Sequence, residues 1–436
     1  MINIMDDQNN SKPKILFILD KWCAGNINFG VSAWETNFWQ SLDTVGLAEF
    51  DLFHFDEYFR VNGKKGDEAV LKKIDEFKPQ LICLVLYRMP GSANNVPTFE
   101  TLEKIKNVRK IPMFTIWGDL EIIDQVKISE SIDRFVDFHI FTALSSVFNS
   151  LRFKDKYAYF WVPKDPRYFF NDNRNRDIDI SYVGSPKPDR LNRLNWLVKN
   201  GIDVKFTGGE REVHLSTEAY SDLFRRSKIS LSFSRSRYHV INARPFEVTL
   251  CGSLLLEQES IETVKLFTPF IDYVPFSSNK DLLEKCQYYI NHDDARNLIA
   301  NSGHNKSVQF YSARRFWDIV FKKAGLFTCA NGETNEKEYI CCGSDNAILD
   351  NWGKTTLVLK DDYVKLVPKK WRFKYKILEF IASKKALYRI YGNVSYIFDG
   401  YAFRFKLALM IYKFIKRVCP ANSVARLDKL KKYFYI

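Results

Sequence analysis

Short, wholly apolar runs recur along the first three quarters of the chain, with amphipathic stretches between them. "KILFIL" (14–19), "DLFHF" (51–55), "LICLVL" (81–86), "PMFTIW" (112–117) and "DFHIFT" (137–142) come first, separated by helix-like segments near 33–42, 66–77, 98–110 and 121–133. A strand that is apolar at nearly every position is buried on both faces, and helices between such strands return each one parallel to the last. The expected class is α/β, with a doubly wound parallel sheet. "WVPKDPRYFFNDNRNRD" (161–177) then interrupts with prolines and charge, as a linker does. The rhythm resumes with "DISYVG" (179–184), "VKFTG" (204–208), "KISLSFS" (228–234) and "SLLLE" (253–257). Helices are expected near 189–200, 217–226, 279–291 and 293–303 and in "RPFEVTLCG" after Arg244, and the last pair leads into "YSARRFWDIVF" (311–321). Two α/β domains follow, 1–165 and 177–325, with a basic, aromatic, mostly helical extension over 326–436. A chain of 436 residues is long enough for both cores.

The formal charge of +13 resides in that extension. Residues 361–436 hold 18 Lys and Arg against 5 Asp and Glu, and the remainder balances at 47 of each sign. Any anionic partner attracted by net charge belongs at the tail. In "YAFRFKLALMIYKFIKRV" a helix puts Lys406, Lys413, Lys416 and Arg417 on one side and Phe403, Leu407, Ile411, Phe414, Ile415 and Val418 on the other, with Arg404 out of pattern. Such a helix suits an anionic membrane surface, or equally a groove on its own protein. Trp371, Phe373 and Tyr375 among basic residues also suit base stacking.

No apolar run approaches the roughly 20 residues of a membrane span. The start, "MINIMDDQNNSKPK", is polar where a signal peptide is apolar. The expected location is cytoplasmic, with peripheral contact on the inner face of the membrane through 361–436. The eight cysteines form no CxxC pair, and Cys329, Cys341 and Cys342 lack a second pair and a nearby histidine, so zinc is not expected. No DxD stands at a suitable strand end, which leaves no expected metal.

"RPFEVTLCGSLLLEQ" (244–258) holds one carboxylate, Glu247, among apolar neighbours and five residues before Gly252. Taken alone, it is an acid in a helix's first turn, where the helix dipole favours negative charge. With it come "DISYVGSPKPDR", "YSDLFRRSKISLSFSRS", "NARPFEVTLCGSLLLEQ" and "VPFSSNKDLLEKCQYYINHDDARNLIANSG", in that order. Through these blocks residues 177–321 resemble the donor-binding domain of GT-B glycosyltransferases, in the group-1-like branch that includes the CgeB-type spore-maturation proteins. The resemblance implies two Rossmann-like domains, acceptor then donor. It also implies a metal-independent, hexosyltransferase-like enzyme that moves a sugar from a nucleotide-activated donor to an acceptor hydroxyl in the cleft.

It further implies that Glu247 accepts hydrogen bonds from the donor's ribose hydroxyls, with Asn242 in the same block and Gly252 turning the chain into the next strand. Gly184 and Ser185 lead from a strand into a helix whose free N–H groups suit a phosphate. Arg190 and Arg244 supply charge. The chain departs from the family twice. Ser185 and Arg190 stand where related enzymes carry an arginine and a lysine, and His239 replaces the glutamate eight positions before Glu247. The second change leaves the sugar and the anomeric outcome open. His239 and, as general base, Asp119 of "WGD" are the catalytic candidates.

The loop "LDKWCAGNINFGVSAWE" (19–35) carries Gly25 and Gly30 but is not GxGxxG. It either brings backbone to acceptor or phosphate, or is a surface loop. The nucleotide-sugar is a co-substrate and no resident cofactor is implied. The acceptor is a glycan, a lipid-linked glycan or a protein. Two other classes stay open: a non-catalytic scaffold of the same shape held to a membrane or assembly by its tail, and a nucleic-acid-binding or nucleic-acid-modifying protein.

Overall fold

The structure, a computed structural model, describes residues 12–118, 123–142, 156–184, 188–207, 215–233, 241, 243–326 and 371. The apolar runs form two parallel sheets. The first contains β1 (Lys14–Leu19), β2 (Glu49–His54), β3 (Leu81–Leu84), β4 (Met113–Trp117), β5 (Phe138–Phe141) and β6 (Tyr157–Tyr159), in the order β2-β1-β3-β4-β5-β6. Its helices are α1 (Gln40–Val45), entered through a π-helical turn at Glu35–Trp39, then α2 (Phe55–Asn62), α3 (Asp67–Phe77), α4 (Phe99–Glu103) and α5 (Ile123–Ile132). The order reverses between β1 and β3, so the crevice of this sheet opens beyond the C-terminal ends of those two strands.

The second sheet contains β7 (Ile178–Val183), β8 (Lys205–Thr207), β9 (Ser227–Ser232), β10 (Leu254–Gln258) and β11 (Val274–Phe276), in the order β11-β10-β9-β7-β8. Its helices are α6 (Pro188–Lys199), α7 (Thr217–Arg226), α8 (Arg244–Leu250), α9 (Ile261–Leu266), α10 (Asn279–Asn291) and α11 (Asp293–Phe310), and α12 (Ala313–Lys323) follows them. The switch point lies between β7 and β9. The sheets are doubly wound α/β, as the alternation requires.

Among the elements that escape the sequence pattern, β6, β11 and α2 do so for identifiable reasons. β6 is only Tyr-Ala-Tyr, too short to show a period, yet it is fully buried beside β5. β11 contains Pro275, which an edge strand tolerates because one side of its backbone has no partner strand. α2 begins at Phe55, where the apolar run "DLFHF" promised continued strand.

Two further features place the site. The Pro-rich linker is buried: Trp161, Lys164 and Asp165 are almost inaccessible, and Asp165 accepts from Thr44 Oγ1 at 3.0 Å. Helix α12 follows the second sheet in sequence but packs on the first. Trp317 meets Phe17 edge-on at 5.7 Å and donates from Nε1 to Ser41 Oγ at 3.0 Å. The buried face of α12 carries Phe316, Trp317, Val320 and Phe321. Trp317→Ala is expected to cost about 3–5 kcal/mol in denaturant unfolding, as loss of a buried aromatic does. Val308→Ala, at a half-exposed position of α11, is expected to stay within about 0.5 kcal/mol.

Of the extension, only Trp371 and the segment up to Leu326 are described. The amphipathic stretch over 401–418, with Phe373 and Tyr375, lies outside the described residues. Trp371 corrects the base-stacking expectation. It is buried in the second core, stacked on Phe270 at 6.0 Å and on Tyr289 at 6.0 Å.

Candidate functional site

The mouth of the second sheet is built by α8. Ala243 precedes the helix, Pro245 suits its first turn because a missing N–H costs nothing there, and every residue from Pro245 to Leu250 is buried. Burying the apolar side chains carries Glu247 inside with them, to 5% exposure. Glu247 Oε1 lies 2.7 Å from Lys164 Nζ, Oε2 accepts from Tyr220 OH at 2.6 Å, and Arg244 Nε stands 3.6 Å from Oε2. Burial works to raise the pKa of this carboxyl. The charges of Lys164 and Arg244 and the hydrogen bonds from Lys164 and Tyr220 outweigh that effect, and the pKa falls below its ordinary value.

Arg244 packs over the rings of Tyr220 and Phe224, 5.5 Å and 5.4 Å from their centroids. Its guanidinium lies against the end of β7 because Gly184 has no side chain. A Cβ there would stand 3.0 Å from Arg244 Nη2 and 3.4 Å from Tyr182 OH, and the φ of 144° is itself a glycine conformation. Arg190, on α6, donates to the same Tyr182 hydroxyl at 3.3 Å. Glu247, Arg244, Gly184 and Arg190 are thus assembled at one end of the sheet. Gly252 turns the chain after α8 with φ 69°, and the space beside it is occupied by Asn171 and Arg176 of the linker. Ser185, His239 and Asn242 lie outside the described residues.

A second acid at this mouth had no sequence signal. Glu257, next to last in β10, pairs in register with Ser232 of β9 and is 1% exposed. Ser232 Oγ is near enough to favour the ionised carboxyl but outside hydrogen-bonding geometry, so both Glu257 Oε2 and Ser232 Oγ are buried without a partner. Burial pushes the Glu257 carboxyl up to about 7, against the pull of Ser232, Arg244 and Arg190. Arg244 therefore sits between an ionised acid and one that keeps its proton near neutrality. With a folded value above the unfolded one, the protonated acid contributes stability that is lost as pH rises through about 7. In Glu257→Gln that loss disappears. The difference in melting temperature, variant minus wild type, is expected to grow between about pH 5 and pH 8, and parallel melting curves would count against the assignment.

At the first sheet, Asp119 lies outside the described residues. The acid that the structure places at the crevice is Asp20, directly after β1 and 6% exposed. Arg88, beyond β3, approaches it at 3.7 Å. Burial and the neighbouring Asp56 charge raise the Asp20 pKa to about 7, partly offset by Arg88 and His54. Asp56 accepts from the backbone N–H groups of Lys21 and Trp22, each at 2.9 Å, and so holds the loop that Asp20 opens. Gly25 of that loop lies against Arg88, where a Cβ would come within 2.3 Å of Nη2. Gly30 has open space around it. Ile27, Phe29 and Val31 of the same loop are exposed. Among the described residues no group of three His, Cys, Asp or Glu is placed to hold a metal ion, and no helix is long and apolar enough to cross a membrane.

Residues 168–320 match the family described as glycosyl transferase-like. No curated protein matches the chain. Among solved structures, an α-glucosyltransferase in complex with UDP-glucose and DNA containing an abasic site aligns with a TM-score of 0.54 at 10% identity, covering 72% of this chain and 100% of that one. The Anabaena protein HepE, in complex with UDP and glucose, gives 0.47 at 11% identity, covering 72% and 100%. A glycosyltransferase from Rickettsia africae gives 0.46 at 13% identity, covering 73% and 100%. At such identities the first likeness is one of fold, and the fold is GT-B: two parallel, doubly wound sheets in succession.

Proposed function

We propose that this protein transfers a glycosyl unit from a nucleotide-activated sugar to an acceptor hydroxyl. One observation carries the reading. The segment that matches the glycosyl transferase-like family buries an ionised carboxylate beside an arginine at the mouth of its sheet. A vicinal diol presents two donors, and a carboxylate with two oxygens of roughly four acceptor sites takes both while keeping its protein partners. Glu247 is therefore the ribose acid, and Arg244 and Arg190 face the diphosphate.

In the reaction, the bond from the anomeric carbon to the diphosphate oxygen breaks and its electron pair leaves with the diphosphate. A bond forms from the acceptor oxygen, which gives up its proton. The two arginines stabilise the charge that develops on the leaving group, so the proposal needs no metal ion. Asp20 takes the acceptor's proton. His239 and Asn242 keep their proposed places at the sugar and the donor.

UDP-glucose, bound by the α-glucosyltransferase neighbour, is the first donor to test, followed by a panel of sugar nucleotides. The readout is nucleoside diphosphate released in the presence of glycan, lipid-linked and protein acceptors. Release with none of them would remove the transferase reading. The exposed Ile27, Phe29 and Val31 favour an acceptor with an apolar part, and the charge of 361–436 favours work at an anionic surface.

A further inference from the structure

We propose that Lys164 is a positioning residue that holds the Glu247 carboxylate in its donor-binding orientation and ties that orientation to the first domain through Asn37. The inference rests on the reading of Glu247 as the ribose acid. Lys164 belongs to the linker, outside the segment that matches the glycosyl transferase-like family. It is 4% exposed, and its ammonium lies 2.7 Å from Glu247 Oε1 and 3.1 Å from Asn37 Oδ1. The Phe169 ring lies 5.4 Å from the same nitrogen. Asn37 is in the π-helical turn of Glu35–Trp39, a geometry that recurs at functional sites. One ammonium thus touches a side chain of each domain at the acid that would grip the donor.

A surface ion pair of this kind would contribute little, but both members here are buried. Removing one partner of a buried pair leaves a charge that neither water nor protein compensates. The groups facing Glu247 are Lys164 from the linker, Tyr220 from α7 and Arg244 from α8. Arg244 and Tyr220 both address Oε2. Oε1 depends on Lys164, and without it the carboxylate is free to turn away from a diol or to take up a proton. Because Asn37 accepts from the same ammonium, a shift of the first domain moves the lysine and with it the acid. Donor grip and domain placement become one equilibrium.

The test uses the full chain, UDP as probe and titration calorimetry between about pH 8 and pH 5. Glu247 is expected to add no acid limb of its own in wild type, because its pKa lies below its ordinary value; the terminal phosphate of UDP and Glu257, lifted to about 7, respond to pH in every variant, so each profile is read relative to wild type. Lys164→Met is expected to bind roughly tenfold more weakly at the upper end and to weaken further as pH falls, since burial, now unopposed at Oε1, raises the carboxyl into the measured range. Lys164→Arg restores most of the affinity and the wild-type profile. Asn37→Ala keeps the ion pair, so its acid limb is unshifted while its affinity falls roughly threefold.

A merely architectural lysine would lower stability without moving the acid limb. Lys164→Met that binds as wild type does at every pH, or binds more tightly, overturns the proposal; the latter result would show a lysine that blocks the diol. If Lys164→Met does not fold, Lys164→Arg and Asn37→Ala decide it, and wild-type affinity in Asn37→Ala counts against the tie to the first domain. Failure of the ribose reading looks different: wild type itself binds no nucleoside diphosphate, or Glu247→Gln binds as wild type does.

Discussion

Glu247→Gln lowers the affinity for UDP by roughly thirtyfold or more, the effect of losing one charge-assisted interaction with each of two hydroxyls. The amide keeps the shape of the side chain but presents one acceptor oxygen in place of two. It also leaves Lys164 as a buried ammonium without its counter-ion at 2.7 Å, which is expected to cost on the order of 3–5 kcal/mol of stability. Binding is therefore measured well below the melting temperature of the variant. The decisive comparison uses ligands that lack the ribose hydroxyls. Removing them from the nucleotide costs wild type as much as the substitution does, and costs the variant almost nothing, since the two changes delete one interaction from opposite sides. Additive losses would mean that the acid and the diol never meet.

Asp20→Asn abolishes turnover by a factor of about 10² to 10⁴ and leaves UDP affinity unchanged, because a general base acts on the acceptor's proton and not on the donor. The pH dependence supplies the sign. A base works when deprotonated, so kcat/KM in wild type rises as pH passes through about 7, the value to which burial and Asp56 lift this carboxyl. The residual activity of the asparagine variant lacks the limb that Asp20 contributes, and a limb of unchanged size would move the base elsewhere. The stability readout runs alongside. A carboxyl whose folded value is raised favours the folded state while protonated, an advantage lost as pH rises through about 7. Asp20→Asn is expected to melt above wild type at pH values beyond that point, which separates a lost base from a lost fold.

The distribution of what was readable follows the range of the physics involved. Apolar runs such as "KILFIL" and "LICLVL" declare two-faced burial within a few residues, so parallel strands and doubly wound sheets were legible from sequence. Glu247 taken alone read as an acid in a helix's first turn, its place at the donor came only through the family resemblance, and its burial followed from the packing of α8. Lys164 was not legible, because a lysine in a Pro-rich linker reads as solvated until the linker is seen to be buried between the sheets. Trp371 read as part of a basic aromatic surface, and only its packing on Phe270 and Tyr289 made it a core residue.

What the sequence determined by itself is therefore the set of local commitments: which apolar runs extend and which amphipathic segments between them coil into helices. Tertiary structure alone decided which acids keep their protons and which lose them. Asp20 and Glu257 hold theirs up to about 7, whereas Glu247 loses its own more readily because the positive charges of Lys164 and Arg244 favour the carboxylate. Protonation depends on desolvation and on charges a few ångströms away, and those charges come from segments that the chain brings together only by folding.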